Sequence, residues 1–597
     1  MIIGMSRDSR LDIDNLTTIS RDEGANKIVT LKRAIKDHIK PGMCIHFSFT
    51  HYRAHGAAYE IARQFRNKKP MFTLISTGVL EYAIILVYCG LVKKIVGSFF
   101  GNTYPSPSPN PILQKAFGSG EVEIETWTNL TIPMRLMAGA LNIEYIPTRS
   151  ILGSSMEKDN RGSLTIYSDP CCSGKKILLM RKLNPDIAIL HGCAADPYGN
   201  TILLPPYGEN LWGALASKGG VLATVERIVS TEIVRKYSHF VKIPGHIVKS
   251  VSVVPFGAHP NGMSNQGMHE FEAYAEDYDF KIDFRQAARD SKKFENWIKE
   301  WVFDCKSHED YLKKIGNKRL VFLKGKANRE AWEYGSGHES EIVEEDYTYN
   351  QSEIMVIEAS RVIKERILSY QYNTILAGIG VSALSAWIAY YQLKRQGYEN
   401  INLLAETGFY GYVPRPHDPY IFNLANVPTN KMQSNFMDIL GHFASGTNRN
   451  CVGVIGAGQV DRYGNINSTR LKNGTYLTGS GGVNDVSNGA SELIVVMRQS
   501  KLRLVEKVDY VTATNKNVKV LVSDLGVFER REEDSEFLLT RCLPNKSLEK
   551  LKEKIQLIQD SCAWKVKRAK IVREEEVPTL EELRLLRLFD PERLYTK

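Results

Sequence analysis

The chain has 597 residues, with 77 lysines and arginines against 67 aspartates and glutamates, for a formal net charge of +10. Hydrophobic residues make up 43% and charged residues 24%, with a mean hydropathy of −0.26, a balance that excludes a disordered or fibrous chain. At roughly 100–200 residues per domain, the length predicts about three domains or two large ones, because a single core rarely grows past about 250–300 residues.

The positive excess is spread thinly and contains no long Lys/Arg run. The clustered basic stripe of a nucleic-acid binder is therefore missing, whereas a mild positive field suits a polyanionic small ligand. The opening residues MIIGMSRDSRLDID meet charge at Arg7 and Asp8 before an apolar run can form, which argues against a secretory signal. The most apolar stretch, Val79 to Gly90, is too short to span a bilayer and contains Glu81. Nine cysteines without a CxxC pair fit reduced thiols and a cytoplasmic localisation.

Taken in chain order, MCIHFSF, FTLIST, KKIVGSFF, VEIETW, DIAILHG and GVLATVE read as strands, with helices over HGAAYEIARQFR and TIPMRLMAGAL. The theme returns in NTILAGIG, INLLAE, CVGVIGAG, ELIVVMR and VKVLVSD. Between the two series, a polar, Gly/Ser-punctuated stretch reads as a partly helical connector. The predicted organisation is residues 1–287, a connector over 288–350, and residues 351–597. An internal repeat supports the division. PDIAILHGCAADPYGN ends at Asn200 and NCVGVIGAGQVDRYGN ends at Asn465, each a strand followed by Asp-x-Tyr-Gly-Asn. The aspartate of such a turn bonds backbone amides while Gly and Asn tolerate positive φ. Two copies imply two related α/β domains, each doubly wound.

Three segments could carry chemistry. Glu406 in Ala-Glu-Thr-Gly follows the apolar strand INLL, where α/β folds present their ligands. Gly479, Ser480, Gly481 and Gly482 form a loop whose backbone can approach an oxyanion or phosphate closely. Gly378 and Gly380 follow NTILA, but Ala383 stands where a third glycine of the dinucleotide fingerprint belongs. Each signal is weak alone.

Together with TIPMRLMAGALNIEYIPTRSILGSS, IPGHIVKSVSVVPFGAHPNGM, GVIGAGQVDRYGNIN and LTGSGGVNDV, these residues resemble the family I CoA-transferases, in the glutaconate CoA-transferase branch. The first half is similar to the family's α-type chain, the second to its β-type chain, as if both were fused. The resemblance implies two doubly wound α/β domains of that type, with the active site between them. It implies a CoA thioester as substrate with no permanently bound cofactor. The family's catalytic glutamate matches Glu406, which would carry CoA as a glutamyl thioester in ping-pong transfer between an acyl-CoA and a carboxylic acid. Ionised at neutral pH by its reference pKa, it would need no general base. Gly479 to Gly482, Gly378, Gly380 and Gln459 would serve CoA binding or the oxyanion. Asp461 and Asn465 would hold their turn.

One segment departs from the family pattern. Where the α-type chains carry a Gly-rich turn, this chain reads CIHFSFTHYRAHGAA. Ser48, His51 and Arg53 are read as shaping the acyl pocket, with Arg53 or a histidine meeting a polar or anionic group; a polar helix cap is the plainer alternative. His51 and His55, without an acidic or cysteine neighbour, are not expected to bind metal. Relatives of the family include ring-cleaving hydrolases and decarboxylases, and Glu125, sharing a strand face with Glu121 and Glu123, matches the hydrolases' glutamate. An acyl-CoA hydrolase or decarboxylase using Glu125, or a non-catalytic acyl-CoA binder, are the rival readings. A homo-oligomer is expected.

Overall fold

The computed structural model describes residues 24–171, 174–327, 346–415, 420–532 and 535–597. Its frame is two large sheets. In the first, seven strands run parallel in the order Glu123–Thr126, Val92–Phe100, Phe72–Val79, Cys44–Phe47, Ile187–Ala195, Val221–Ile228 and Val248–Val253. The central Ile187–Ala195 is buried at all nine positions, the pattern of a strand covered on both faces. In the second sheet, Asn402–Ala405, Thr374–Ala377, Cys451–Ile455, Glu492–Val496 and Val518–Val522 run parallel. Antiparallel strands extend it at both edges.

The repeated turn is the same object twice. Asp196 Oδ1 accepts from the Tyr198 and Asn200 amides at 3.0 and 2.9 Å; Asp461 Oδ1 accepts from Tyr463 and Asn465, both at 3.0 Å. Gly199 and Gly464 take positive φ of 96° and 89°.

The stretch read as a partly helical connector is helical in its described part and packs against the first half's core. Its helices are Ser291–Ile298, His308–Ile315 and Asn317–Lys326. Phe294, Trp297, Val302 and Tyr311 from this stretch are buried in the core with Tyr59, Phe280 and Phe284. Aromatic residues spaced along polar helices hid this packing: a narrow apolar stripe is enough to dock a helix. Residues 328–345 lie outside the described residues. The second half opens on helix Gln351–Tyr370, started by a capping box between Asn350 and Glu353. Among the described residues no helix is long and apolar enough to cross a membrane.

The halves meet over a continuous core that holds Phe100 from the first and Tyr476 from the second, their rings 5.2 Å apart. Strand Val92–Phe100 also holds the second half's glycine loop directly. Phe100 N donates to Thr478 O at 2.8 Å, and Gly481 N to Ser98 O at 3.0 Å.

Candidate active site

Glu406 follows its strand directly and sits in the turn of a hairpin. Strand Asn402–Ala405 pairs antiparallel with Phe409–Tyr412, leaving Glu406, Thr407 and Gly408 as the loop. Gly408 has φ of +133°, and a Cβ there would lie 2.4 Å from Ser434 O. The hairpin therefore requires glycine at this position.

The carboxylate faces a cleft of about 540 Å³ between the halves. Gly378 and Gly380, and Gly479, Ser480, Gly481 and Gly482, line this cleft with Glu406. Gly479 has φ of +87°, and any side chain there would strike Ser98 O. Gly482 lies directly against Glu406: a Cβ on it would come within 2.0 Å of Oε2.

Asn129 completes the immediate surroundings. Its backbone N donates to Gly481 O at 3.1 Å, and Ser98 Oγ bonds its Oδ1, which leaves the amide NH₂ to bond Glu406. Burial pushes the Glu406 carboxyl up to about 7; the Asn129 hydrogen bond opposes this and the Asp485 charge adds to it. Neutral-pH ionisation, expected from the reference value, is thus only partial here, because removing water costs the charged form most. Asp485, buried beneath the loop, accepts from Leu130 N at 3.1 Å and Ser150 Oγ at 2.8 Å. Burial likewise pushes it up to about 7 against those bonds.

Gln459 is held elsewhere: its Nε2 donates to Leu502 O at 3.1 Å and its Oε1 accepts from Asn467 at 2.9 Å. Glu125 opens on a different cavity, with Lys94 and Tyr476. It accepts from Trp127 Nε1 at 2.8 Å and pairs with Arg135 at 3.1 Å and Lys94 at 2.9 Å. Burial raises its pKa, but Arg135, Lys94 and Trp127 overcome that and hold it below the ordinary range. Such a carboxylate is committed to its ion pairs.

The segment Ser48–Arg53 is fully buried. Helix His55–Phe65 begins after it with no side-chain cap, so the polar-cap alternative is not what forms. Ser48 Oγ donates to Tyr52 O at 3.1 Å and holds the turn. His51 lies 5.3 Å from the Phe409 ring, three residues beyond Glu406. Among the described residues no group of three or more His, Cys, Asp or Glu could hold a metal ion.

Sequence reading passed over Ser98, Asn129, Asp485, and the cleft residues Arg498, Arg503 and Lys597. An asparagine just before a helix reads as a cap, and scattered arginines read as surface; no local pattern marks either as a site residue.

The fold and cleft define a protein of two repeated parallel α/β domains, with one glutamate presented on glycine-rich backbone at their junction. A family model described as Coenzyme A transferase matches residues 28–253 and 430–554, more than half of the chain. The chain belongs to the coenzyme A transferase family and is an enzyme of that class. It is 27% identical over 315 residues to the A-type subunit of glutaconate CoA-transferase from Acidaminococcus fermentans, covering 50% of this chain and 95% of its relative. It is 26% identical over 268 residues to the B-type subunit of 3-oxoadipate CoA-transferase from Pseudomonas knackmussii, covering 40% and 94%. Counterparts of the two subunit types thus lie in separate halves of one polypeptide. The acyl-CoA transferase YdiF of Escherichia coli O157:H7 shares the fold across 96% of this chain and 97% of its own, with TM-score 0.63 and 14% identity.

Proposed function

We propose that this enzyme moves CoA between an acyl-CoA and a free carboxylic acid through a covalent intermediate on Glu406. The observation that carries the reading is the Glu406 carboxylate, seated on Gly482 and bonded by Asn129 in a cleft built by both halves.

The ionised Glu406 attacks the thioester carbonyl; the C–S bond breaks, giving an acyl–glutamyl anhydride and CoA thiolate. The thiolate then attacks the glutamyl carbonyl, forming a glutamyl-CoA thioester and releasing the acid as its carboxylate. A second carboxylate runs the same steps in reverse. A carboxylate is a weak nucleophile, so rate comes from orientation and from groups aimed at the developing oxyanion. Asn129 fixes the carboxylate, and the backbone at Gly479 to Gly482 lets the thioester approach without a side chain in the way. Partial exclusion of water protects the anhydride from hydrolysis. Arg498, Arg503 and Lys597 line the same cleft, where cations suit the phosphates of CoA. CoA is a substrate, with no resident cofactor required by these steps. Residues 1–287 and 351–597 are proposed to correspond to the two fused subunits.

Intact-mass measurement after incubation with acyl-CoA and no acceptor tests the reading. A CoA adduct that maps to Glu406 and disappears on adding a carboxylic acid is expected. Steady release of free CoA and acid without an adduct overturns transfer in favour of hydrolysis.

A further inference from the structure

We infer that a second cavity between the halves, behind Glu406, is a regulatory site for a small organic anion with an apolar body. Binding there stands apart from the transfer reading above, and only the effect on turnover rests on it.

The cavity measures about 520 Å³, within the range of small-molecule sites. Both halves build it, and neither Glu406 nor any of Gly479 to Gly482 lines it, so it is separate from the cleft already described. Its apolar wall is Leu130, Met134, Leu152 and Met437, all half-buried. Its charges come from three segments distant in the chain: Arg149 of the first half, and Arg449 and Lys516 of the second, all exposed.

These cations are not neutralised. Among the described residues Arg449 and Lys516 form no ion pair, and Arg149 meets Asp169 only at 3.9 Å. The fourth basic group, His442, is held by Asp438 at 2.9 Å. Asp485 is the one carboxylate among the lining residues, and it is buried and spent on Leu130 N and Ser150 Oγ. Cations standing over an apolar wall fit a ligand with a charged head and a hydrocarbon body.

The wall that carries Arg149 is strained and clamped. Ile151, buried and β-branched, has φ of +58°, a costly conformation that persists where the surroundings impose it. Asn484 Oδ1 imposes it, accepting from Ile151 N at 3.0 Å and Ser150 Oγ at 3.2 Å, while Thr148 Oγ1 accepts from Ser150 N at 3.1 Å. The turn Thr148 to Leu152 is thereby fixed to helix Val483–Gly489.

The back of the cavity touches the residues that hold the nucleophile. Leu130 lines the cavity and directly follows Asn129, which bonds Glu406. Asp485 lines it from the helix that begins just after Gly482, the glycine lying against Glu406 Oε2. The charged and titratable groups facing Asp485 are Glu406 on one side and Arg149, Arg449, Lys516 and His442 around the cavity. The Asp485 charge already opposes ionisation of Glu406. An anion beside Asp485 adds to that opposition and leaves less nucleophilic carboxylate at neutral pH, which makes the occupant an inhibitor.

Phenyl phosphate is the probe, with benzoate as the carboxylate arm and benzyl alcohol as the neutral control. Binding is measured by calorimetry on wild type and Glu406→Ala. One saturable site for an anion is expected in both proteins, with the tighter of the two anions naming the head group and no binding of the alcohol. The combined variant Arg149→Gln, Arg449→Gln, Lys516→Gln should weaken binding by about tenfold or more, with kcat/KM in the absence of probe within about threefold of wild type. Saturating anion should lower the wild-type kcat at about pH 7 by about fivefold and leave the KM for acyl-CoA unchanged. No anion binding, equal binding of benzyl alcohol, or undiminished binding in the combined variant overturns the site. Competition with acyl-CoA overturns it too, because the probe then sits in the Glu406 cleft. Unchanged turnover at saturation overturns the regulation. Anion binding that depends on the three cations, in a wild type that forms no CoA adduct, would sink the transfer reading and leave the anion site standing.

Discussion

A Cβ placed on Gly482 would lie 2.0 Å from Oε2 of Glu406. The glycine is there for space, since its φ of −88° suits any residue. Gly482→Ala should therefore fold normally and displace the carboxylate. A misplacement near 1 Å can cost about 100-fold in rate, and a loss of that order in kcat/KM with Tm held within a few degrees is expected. Activity within about threefold of wild type would separate Glu406 from the chemistry.

The raised pKa of Glu406 gives a pH signature. Its carboxylate form is the nucleophile, so kcat/KM for acyl-CoA should rise with pH through a midpoint near 7. Asp485 has a similar value and interacts with it, so the pair titrates with apparent midpoints. Asp485→Asn removes a negative charge and should move the midpoint down. A profile flat from about pH 5 to 8 would rule out a buried glutamate as the group that titrates.

The same shift bears on stability with the opposite sense. Unfolded, a glutamate sheds its proton near the ordinary value of 4.5, whereas folded Glu406 keeps it up to about 7. The folded state binds more protons in that window, so this group weakens folding as pH rises from about 4.5 to 7, and the penalty stays above it. Glu406→Gln should be more stable than wild type at about pH 8 by roughly 1–3 kcal/mol in urea denaturation, with little difference at about pH 4.5.

Asn129 tests positioning. Asn129→Ala removes the hydrogen bond that favours the ionised carboxylate, so the pH midpoint should move up and kcat fall by about tenfold, the worth of one charge-assisted bond. Asn129→Asp should be worse, because it sets a second charge beside Glu406. The upward midpoint distinguishes this role from a general loosening of the fold.

Glu125 should answer differently. It satisfies the nearly buried Arg135, whose side chain is 4% exposed, and Glu125→Ala leaves that cation short of a partner. Stability should drop by about 2–3 kcal/mol, while transfer per folded molecule stays near wild type. Loss of turnover in a fully folded Glu125→Ala would reopen the hydrolase reading.

Much of this protein is local. The parallel strands follow from apolar runs such as IAILHGCAA, which have no polar face to leave in water. The Asp-x-Tyr-Gly-Asn turns close on their own aspartates within four residues, so the repeat was readable without any partner. Glu406 and the Gly479 to Gly482 loop were likewise marked by their own chemistry and by resemblance. What tertiary structure decided lies between segments distant in the chain. Ser98 turns Asn129 so that its NH₂ faces Glu406, and neither residue carries a pattern that points to the other. Burial set the pKa of Glu406, and no reference value contains burial. The helices over 291–326 look polar in sequence and became core because their aromatic stripes met Tyr59 and Phe280. The excess positive charge gains a partial address, with Arg498, Arg503 and Lys597 at the cleft and Arg53 sealed inside. Sequence supplied these groups, and only packing determined which of them would lose their water.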